Sequence, residues 1–349
     1  MRDFNNKFPG LNEEQLRIKR KIWEREKEIE KNLLESLKKK IPFSYKEGDE
    51  DTGDWAVADF GSSTSHGFVS DAAISGALVK FIYADGTTKT TTTDGEGGFD
   101  TPSDFKEGDI IVSGGTDIVT GVPYRGEFTI DAEFFYRYKS ITPLTHLINH
   151  VWINTDTQTP EEALDLVLLH IFEFTKIAIP LSNKEDIFNL DPVRLAFQGI
   201  NGAKEVQAIN TFIEIHTELM GSTEALYKEE IEENKKKAYN KLSNALLDKI
   251  KGISTDSIMD VNSMDVDDKY KDCFSVLLNK ASDMICEHLE KDYFEATKNI
   301  QALNLAIKDE WINKTLEMTA KEDIDSSNIW EEIENKSSEN LLSRINVPS

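Results

Sequence analysis

ALVKFIY at Ala77–Tyr83, TTKTTTT at Thr87–Thr93 and the turn DGEGGFD at Asp94–Asp100 decide the fold of this chain. The first run is rich in β-branched and aromatic residues, and the second is threonine apart from one lysine. Asp85-Gly86 joins them with a dipeptide suited to a tight hairpin. The same texture continues outward. Ile110–Val112 and Glu127–Phe135 are further β-prone runs, and Asp94-Gly95 and Gly114-Gly115 are further turn signals. Short strands cut by such turns predict one antiparallel Ig-like β-sandwich over residues 66–139.

Helical sequence flanks that region. Residues 12–40 are almost all helix formers, with Ile18, Ile22, Ile29, Leu33 and Leu37 on one narrow stripe and Pro42 beyond it. They predict a long N-terminal helix within an arm over residues 1–45. Arg25 and Glu26 interrupt the stripe, so a docking arm, a coiled coil and a solvated helix all remain open. Residues 46–65 are acidic, then small and polar, the composition of a linker.

Beyond Ile141 each helix has a start signal. Thr142-Pro143 and Asp191-Pro192 place a capping side chain before a first-turn proline, and Thr159-Pro160-Glu161-Glu162 adds the glutamate of a capping box. Glu161–Ala178 is apolar on nearly every face, so it is expected at the centre of a helical domain over residues 140–222. Its expected cover is segments 143–153, 192–198 and 203–220. Residues 223–349 read as a charged helical region. Ala238, Leu242, Leu246 and Ile250 form one stripe there, and further helices are expected near 267–290, 294–319 and 327–343. The fold class is therefore α+β and multidomain, with a mostly helical C-terminal half.

The chain has 349 residues and a formal charge of −24, which argues against nucleic acid and anionic membranes as partners, since both bind through Lys and Arg. Residues 1–40 hold 12 Lys/Arg against 8 Asp/Glu, so a weakly basic arm precedes an acidic body. No run approaches the roughly 18 apolar residues of a membrane helix. The N-terminus MRDFNNKFPGLNEEQ has no apolar core of a secretory signal, so the general secretory route is not expected. Cys273 and Cys286 fall in one predicted helix, about 20 Å apart along its axis, and an intrachain bridge is not expected.

Candidate chemistry is sparse. His146 and His150 have the i,i+4 spacing of zinc ligands, with His170 on the next helix, but Leu147 stands where a metallopeptidase has its glutamate. Ordinary helix packing accounts for all three. Asp94, Glu96 and Asp100 alternate in a turn and are the candidate calcium ligands, with Asp71, Asp85 or Asp117 within reach on neighbouring loops. The glycines among them have a sufficient local reason in supplying positive φ. No phosphate-binding glycine loop or thiol nucleophile motif is found, so no catalytic residue and no other cofactor is expected.

Ile74-Ser75-Gly76-Ala77-Leu78-Val79, the turn Thr93–Phe99, and Val112-Ser113-Gly114-Gly115-Thr116-Asp117 followed by Thr120-Gly121 resemble a carboxypeptidase-regulatory or transthyretin-type sandwich. Ile141-Thr142-Pro143-Leu144-Thr145 and Phe188–Pro192 are similar to the helical continuation of such segments. This arrangement is that of surface, adhesin-like and virion proteins of marine bacteria and their phages. The resemblance covers less than half the chain and implies a structural or adhesive protein, with no catalytic residues to carry over. Without a secretion signal or glycine-aspartate repeats, a virion structural protein is expected. It would be a homo- or hetero-oligomer whose terminal helices dock onto sister subunits, their narrow apolar stripes covered by partners. The alternative is a bacterial cell-surface adhesin or matrix protein that binds carbohydrate or protein.

Overall fold

The computed structural model describes residues 66–70, 73–157, 159–179, 192–197, 199–225, 231–253, 268–318 and 325–339, with positions 341 and 345. The expected N-terminal helical arm and acidic linker lie outside the described residues, as do Asp71 and Asp191. The described residues all fall within one compact unit.

The unit is mixed α+β, with its sheets in the N-terminal part and its helices in the C-terminal half. The strands are β1 (His66–Val69), β2 (Ile74–Ser75), β3 (Leu78–Tyr83), β4 (Thr88–Thr92), β5 (Gly98–Asp100), β6 (Gly108–Ser113), β7 (Thr116–Asp117), β8 (Glu127–Asp131) and β9 (Ser140–Ile141). They make a four-stranded antiparallel sheet in the order β4-β3-β6-β8, a three-stranded sheet β5-β1-β9 and a β2-β7 pair. Only β1 and β9 run parallel.

Alternation explains which face of the large sheet is inside. Val79 and Phe81 of β3, Ile110 and Val112 of β6, and Phe128 and Ile130 of β8 are all buried, while Leu78 on the other face is 46% exposed. Phe81 meets Phe99 of the three-stranded sheet at 6.2 Å between ring centroids and Phe105 at 5.1 Å. The Asp-Gly and Gly-Gly turns fall where the sequence puts them. Asp85 Oδ1 accepts from Thr87 N–H at 2.9 Å, and the Asp94 and Gly98 backbones close the β4–β5 turn. One glycine of a different kind opens β6. Gly108 has φ +125°, and a Cβ there would stand 1.9 Å from the Ile82 carbonyl oxygen, so only glycine fits against β3.

The helices are α1 (Ala132–Arg137), α2 (Pro143–Asn154), α3 (Pro160–Thr175), α4 (Pro192–Phe197), α5 (Ala203–Ala225), α6 (Ile231–Ile250), α7 (Asp268–Leu289), α8 (Tyr293–Met318) and α9 (Ser326–Glu339). Thr142 and Thr159 cap α2 and α3 as their sequences predict. The reciprocal capping box forms at Thr142, through the Thr145 hydroxyl. Thr159 accepts the Glu162 N–H at 3.3 Å. The expected boundary at 139/140 falls just before β9, which pairs with β1, and that at 222/223 lies within α5.

Two expectations are corrected. Glu161–Ala178 is not the central helix. It is realised as α3, which packs on α2 and α6 and has half-buried positions throughout. The hub is α5, in contact with α2, α4, α6, α7 and α8, and buried without a break from Val206 to Gly221. The apolar stripes of the C-terminal helices also need no partner subunit. Leu242 and Leu246 of α6, Leu277 and Ile285 of α7, Leu303 and Ile307 of α8, and Ile333 of α9 are buried within this chain. Among the described residues no helix is long and apolar enough to cross a membrane. Both cysteines are free thiols on α7, as expected.

Candidate functional site

β8 is the last strand of the large sheet, and an edge strand leaves a row of backbone groups without partners. Here α2 supplies side chains in place of a fifth strand. Asn149 Oδ1 accepts from Asp131 N–H at 3.1 Å, and its Nδ2 donates to the Thr129 carbonyl at 3.4 Å. His146 Nδ1 lies 3.1 Å from the Thr129 N and 3.0 Å from the Thr129 carbonyl oxygen, and the ring's tautomer decides whether it accepts from the one or donates to the other. The Leu144 N–H in the first turn of α2 goes to Asn210 Oδ1 of α5 at 2.8 Å. Sheet, α2 and α5 are thereby joined by side chains that mimic strand and helix backbone. Truncating Asn149 to alanine takes from the Asp131 N–H its side-chain acceptor and is expected to lower stability by about 1–3 kcal/mol, read by urea denaturation.

A few residues away, the interior holds charge. Glu214 of α5 is fully buried, Lys308 of α8 is 7% exposed, and Asp117 of β7 is 2% exposed. Lys308 Nζ lies 3.5 Å from Glu214 Oε2. Glu214 Oε1 accepts from the hydroxyl of Tyr239 on α6, and from the hydroxyl of Tyr124, in the segment between β7 and β8, at 3.5 Å. Asp117 accepts from Val119 N–H, Thr120 N–H and the Thr120 hydroxyl. Burial pushes its carboxyl up to about 6, against the opposing pull of Lys308 and these donors. Phe128 packs edge-on to Tyr239 at 5.7 Å and, tilted, on His146 at 6.1 Å. This polar junction between β layer and helices is the candidate functional site.

The residues singled out from sequence fall elsewhere or take other roles. Asp94 Oδ1 accepts from Glu96 N–H and Gly98 N–H, both at 2.8 Å, which stabilises the turn. Asp100 Oδ1 sits 3.1 Å from His66 Nδ1 on the neighbouring strand. Glu96 is exposed on the same turn. Asp85 binds its own turn, and Asp117 belongs to the buried junction. His146 is a completing group for the β8 edge, its pKa pushed down to about 4 by burial. Burial also lowers His150 and His170, and His170 Nδ1 lies 3.2 Å from Glu173 Oε2. Among the described residues no group of three or more His, Cys, Asp or Glu side chains is arranged to hold a metal ion.

Sequence reasoning passed over Glu214, Lys308, Tyr124 and Tyr239. The signal that marks the first two is a pair of polar stripes at heptad-like spacing. One is Gln207, Thr211, Glu214 and Glu218 on α5, and the other is Thr297, Gln301, Asn304 and Lys308 on α8, all buried. The stripes meet where the Gln301 amide reaches the Thr211 hydroxyl at 3.4 Å and where Lys308 meets Glu214. Compared with protein-family models, with curated proteins and with solved structures, the chain matches none.

Proposed function

We propose that this chain is a non-enzymatic structural subunit of a virion, a rigid block whose β layer is an Ig-like sandwich serving as a contact module. One observation carries the structural half of this reading. The charged groups buried at the junction each have partners within the protein. Glu214 binds Lys308 and two tyrosines, Asp117 binds its own loop, and all three charged groups are buried. Chemistry on a substrate needs such groups within reach of a ligand. The tilted contact of Phe81 with Phe99, across from one sheet to the other, supports the sandwich. The outer face of β3 and β4, with Leu78 exposed beside Thr88, Thr90 and Thr92, suits contact with a neighbour without any need for catalysis. The assignment to a virion, and the oligomer it implies, come from the resemblance to adhesin-like and virion segments. Docking by the terminal helices rests on the arm over residues 1–45, because the stripes of α6 to α9 are covered internally.

Protein mass spectrometry of density-purified particles, from cells carrying this sequence, tests the reading. Peptides of the chain at constant ratio to the major shell protein are the expected result. Their absence from particles together with their presence in a washed cell-surface fraction would replace it with the adhesin alternative.

A further inference from the structure

The β8 edge of the large sheet is completed by α2, and the opposite edge is open. β4 lies there, and among the described residues no strand pairs with its outer side. Its register with β3 runs unbroken from Leu78 opposite Thr92 to Ile82 opposite Thr88. Tyr83 N–H donates to the Thr87 carbonyl at 2.9 Å, and Thr93 N–H to the Ala77 carbonyl at 3.0 Å. Backbone pairing alternates along an antiparallel strand, so Thr87, Lys89, Thr91 and Thr93 turn their N–H and C=O groups towards β3. Thr88, Thr90 and Thr92 turn theirs outward, and all three residues are exposed. The edges of the smaller sheets are only two or three residues long.

An open edge is ordinarily guarded by a proline, a bulge or an outward charge. β4 has neither proline nor bulge. Its one charged residue, Lys89, is turned back onto its own sheet, with its ammonium 2.7 Å from Asp104 Oδ2 and 5.5 Å from the centre of the Tyr83 ring. Residues 86–93 hold no carboxylate, in a chain whose formal charge is −24, so two copies meeting along this strand bring no strand carboxylates together.

The strand is also complementary to itself. TTKTTTT reads nearly the same in both directions about Thr90. A two-fold axis there sets Thr90 against Thr90, and Thr88 against Thr92 of the second copy. Each outward threonine then exchanges both of its backbone hydrogen bonds with another threonine, and threonine pairs across strands are favourable. Charge selects this register. With the axis at Thr90, Lys89 faces Thr91, whereas an axis at Lys89 would set two lysines directly opposite each other. An axis at Thr91 would set Thr88 against Asp94, whose N–H is already given to the Gly98 carbonyl.

We propose that β4 is a self-pairing edge: two copies of this chain join β4 to β4, antiparallel about Thr90, and fuse their four-stranded sheets into one. The pairing is of the chain with itself and holds whichever particle or surface the chain belongs to. A seam of one strand is small, so the dimer is reversible, with a dissociation constant on the order of 10–100 µM.

Sedimentation equilibrium of the full chain from about 1 µM to about 1 mM, wild type against Thr90→Pro, tests the pairing. Because β3 does not use the Thr90 N–H, proline spares the internal ladder while removing a seam bond from each copy. The wild type is expected to pass from monomer to dimer, and Thr90→Pro to dimerise at least about tenfold more weakly. A wild type that stays monomeric throughout overturns self-pairing and leaves the edge to a strand of another protein. A dimer that Thr90→Pro does not weaken overturns it equally. Should Thr90→Pro fail to fold, cysteine cross-linking decides. The axis brings the two Thr90 Cα atoms to about 5.5 Å, within disulfide range. Diamide oxidation is expected to give a covalent dimer with Thr90→Cys and not with Thr88→Cys, which faces Thr92. Equal yields at the two positions, or no covalent dimer at either, overturn the pairing.

Discussion

Lys308→Met lowers the stability of the folded chain by about 3–5 kcal/mol at pH 7.5, the largest loss expected from any single replacement at the junction. The methionine keeps most of the aliphatic stem, so packing on α8 is nearly unchanged, and what disappears is the ammonium 3.5 Å from Glu214. Glu214 and Asp117 then both lose the ammonium that acts on them. The hydroxyls of Tyr239 and Tyr124 stabilise the Glu214 charge only in part. The loss should shrink as pH falls, because protonating either carboxylate relieves it. Adding Glu214→Leu to Lys308→Met should recover much of the loss, since a well-packed apolar pair avoids the desolvation that the ion pair only offsets. Equal stability of Lys308→Met and the wild type at pH 7.5, by urea denaturation, would mean that the cluster contributes nothing to the fold.

Between pH 7 and pH 5 acid is expected to destabilise the chain through its buried histidines, with His146 and His216 together contributing about 4 kcal/mol. His146 and His216 are buried, and burial pushes their pKa values down to about 4 and about 3. In the unfolded chain each titrates near the ordinary value of 6.5. The unfolded state thus binds more protons below that pH. The stability is complete above about 6.5 and is lost as pH falls towards the folded-state values. Each histidine accounts for about 2 kcal/mol by pH 5, and Asp117 works in the opposite direction over the same window. His216 is the cleaner target, because neither of its ring nitrogens has a hydrogen-bond partner and its ring packs edge-on to Phe274 at 5.5 Å. His216→Leu is expected to keep or raise stability at pH 7 and to remove about 2 kcal/mol of the acid loss. An unchanged slope of stability against pH in that variant would show that other groups drive the acid transition.

What the sequence revealed follows from local rules, and what it hid follows from pairing at a distance. The period-2 burial of Val79 and Phe81 is written in ALVKFIY, the turns in Asp85-Gly86 and Asp94-Gly95, and the caps in Thr142-Pro143 and Thr159-Pro160. Each of these needs only neighbours within a few residues. The identity of the hub helix was not legible, because an apolar surface all round is only one way to be buried. α3 has that composition and lies at the side. α5 carries Gln207, Asn210, Thr211, Glu214 and His216 and lies at the centre, because α2, α6 and α8 bring polar groups to most of these positions. Such partners lie 25 to 94 residues away in the chain, beyond the reach of any window of sequence. His146 is intermediate. Its i,i+4 spacing with His150 is visible, but completing the β8 edge is a role that only the position of β8 reveals.

The account stands on the β layer and the helical bundle being one cooperative unit fastened by the buried cluster. Native-state hydrogen exchange on the full chain tests this most directly, by comparing the amides of Val79 and Val112 in the sheet with those of Thr211 and Ile215 in α5. One unit predicts equal opening free energies in all four, lowered together by Lys308→Met. Opening of the sheet amides at an energy of their own, unmoved by Lys308→Met, would contradict it.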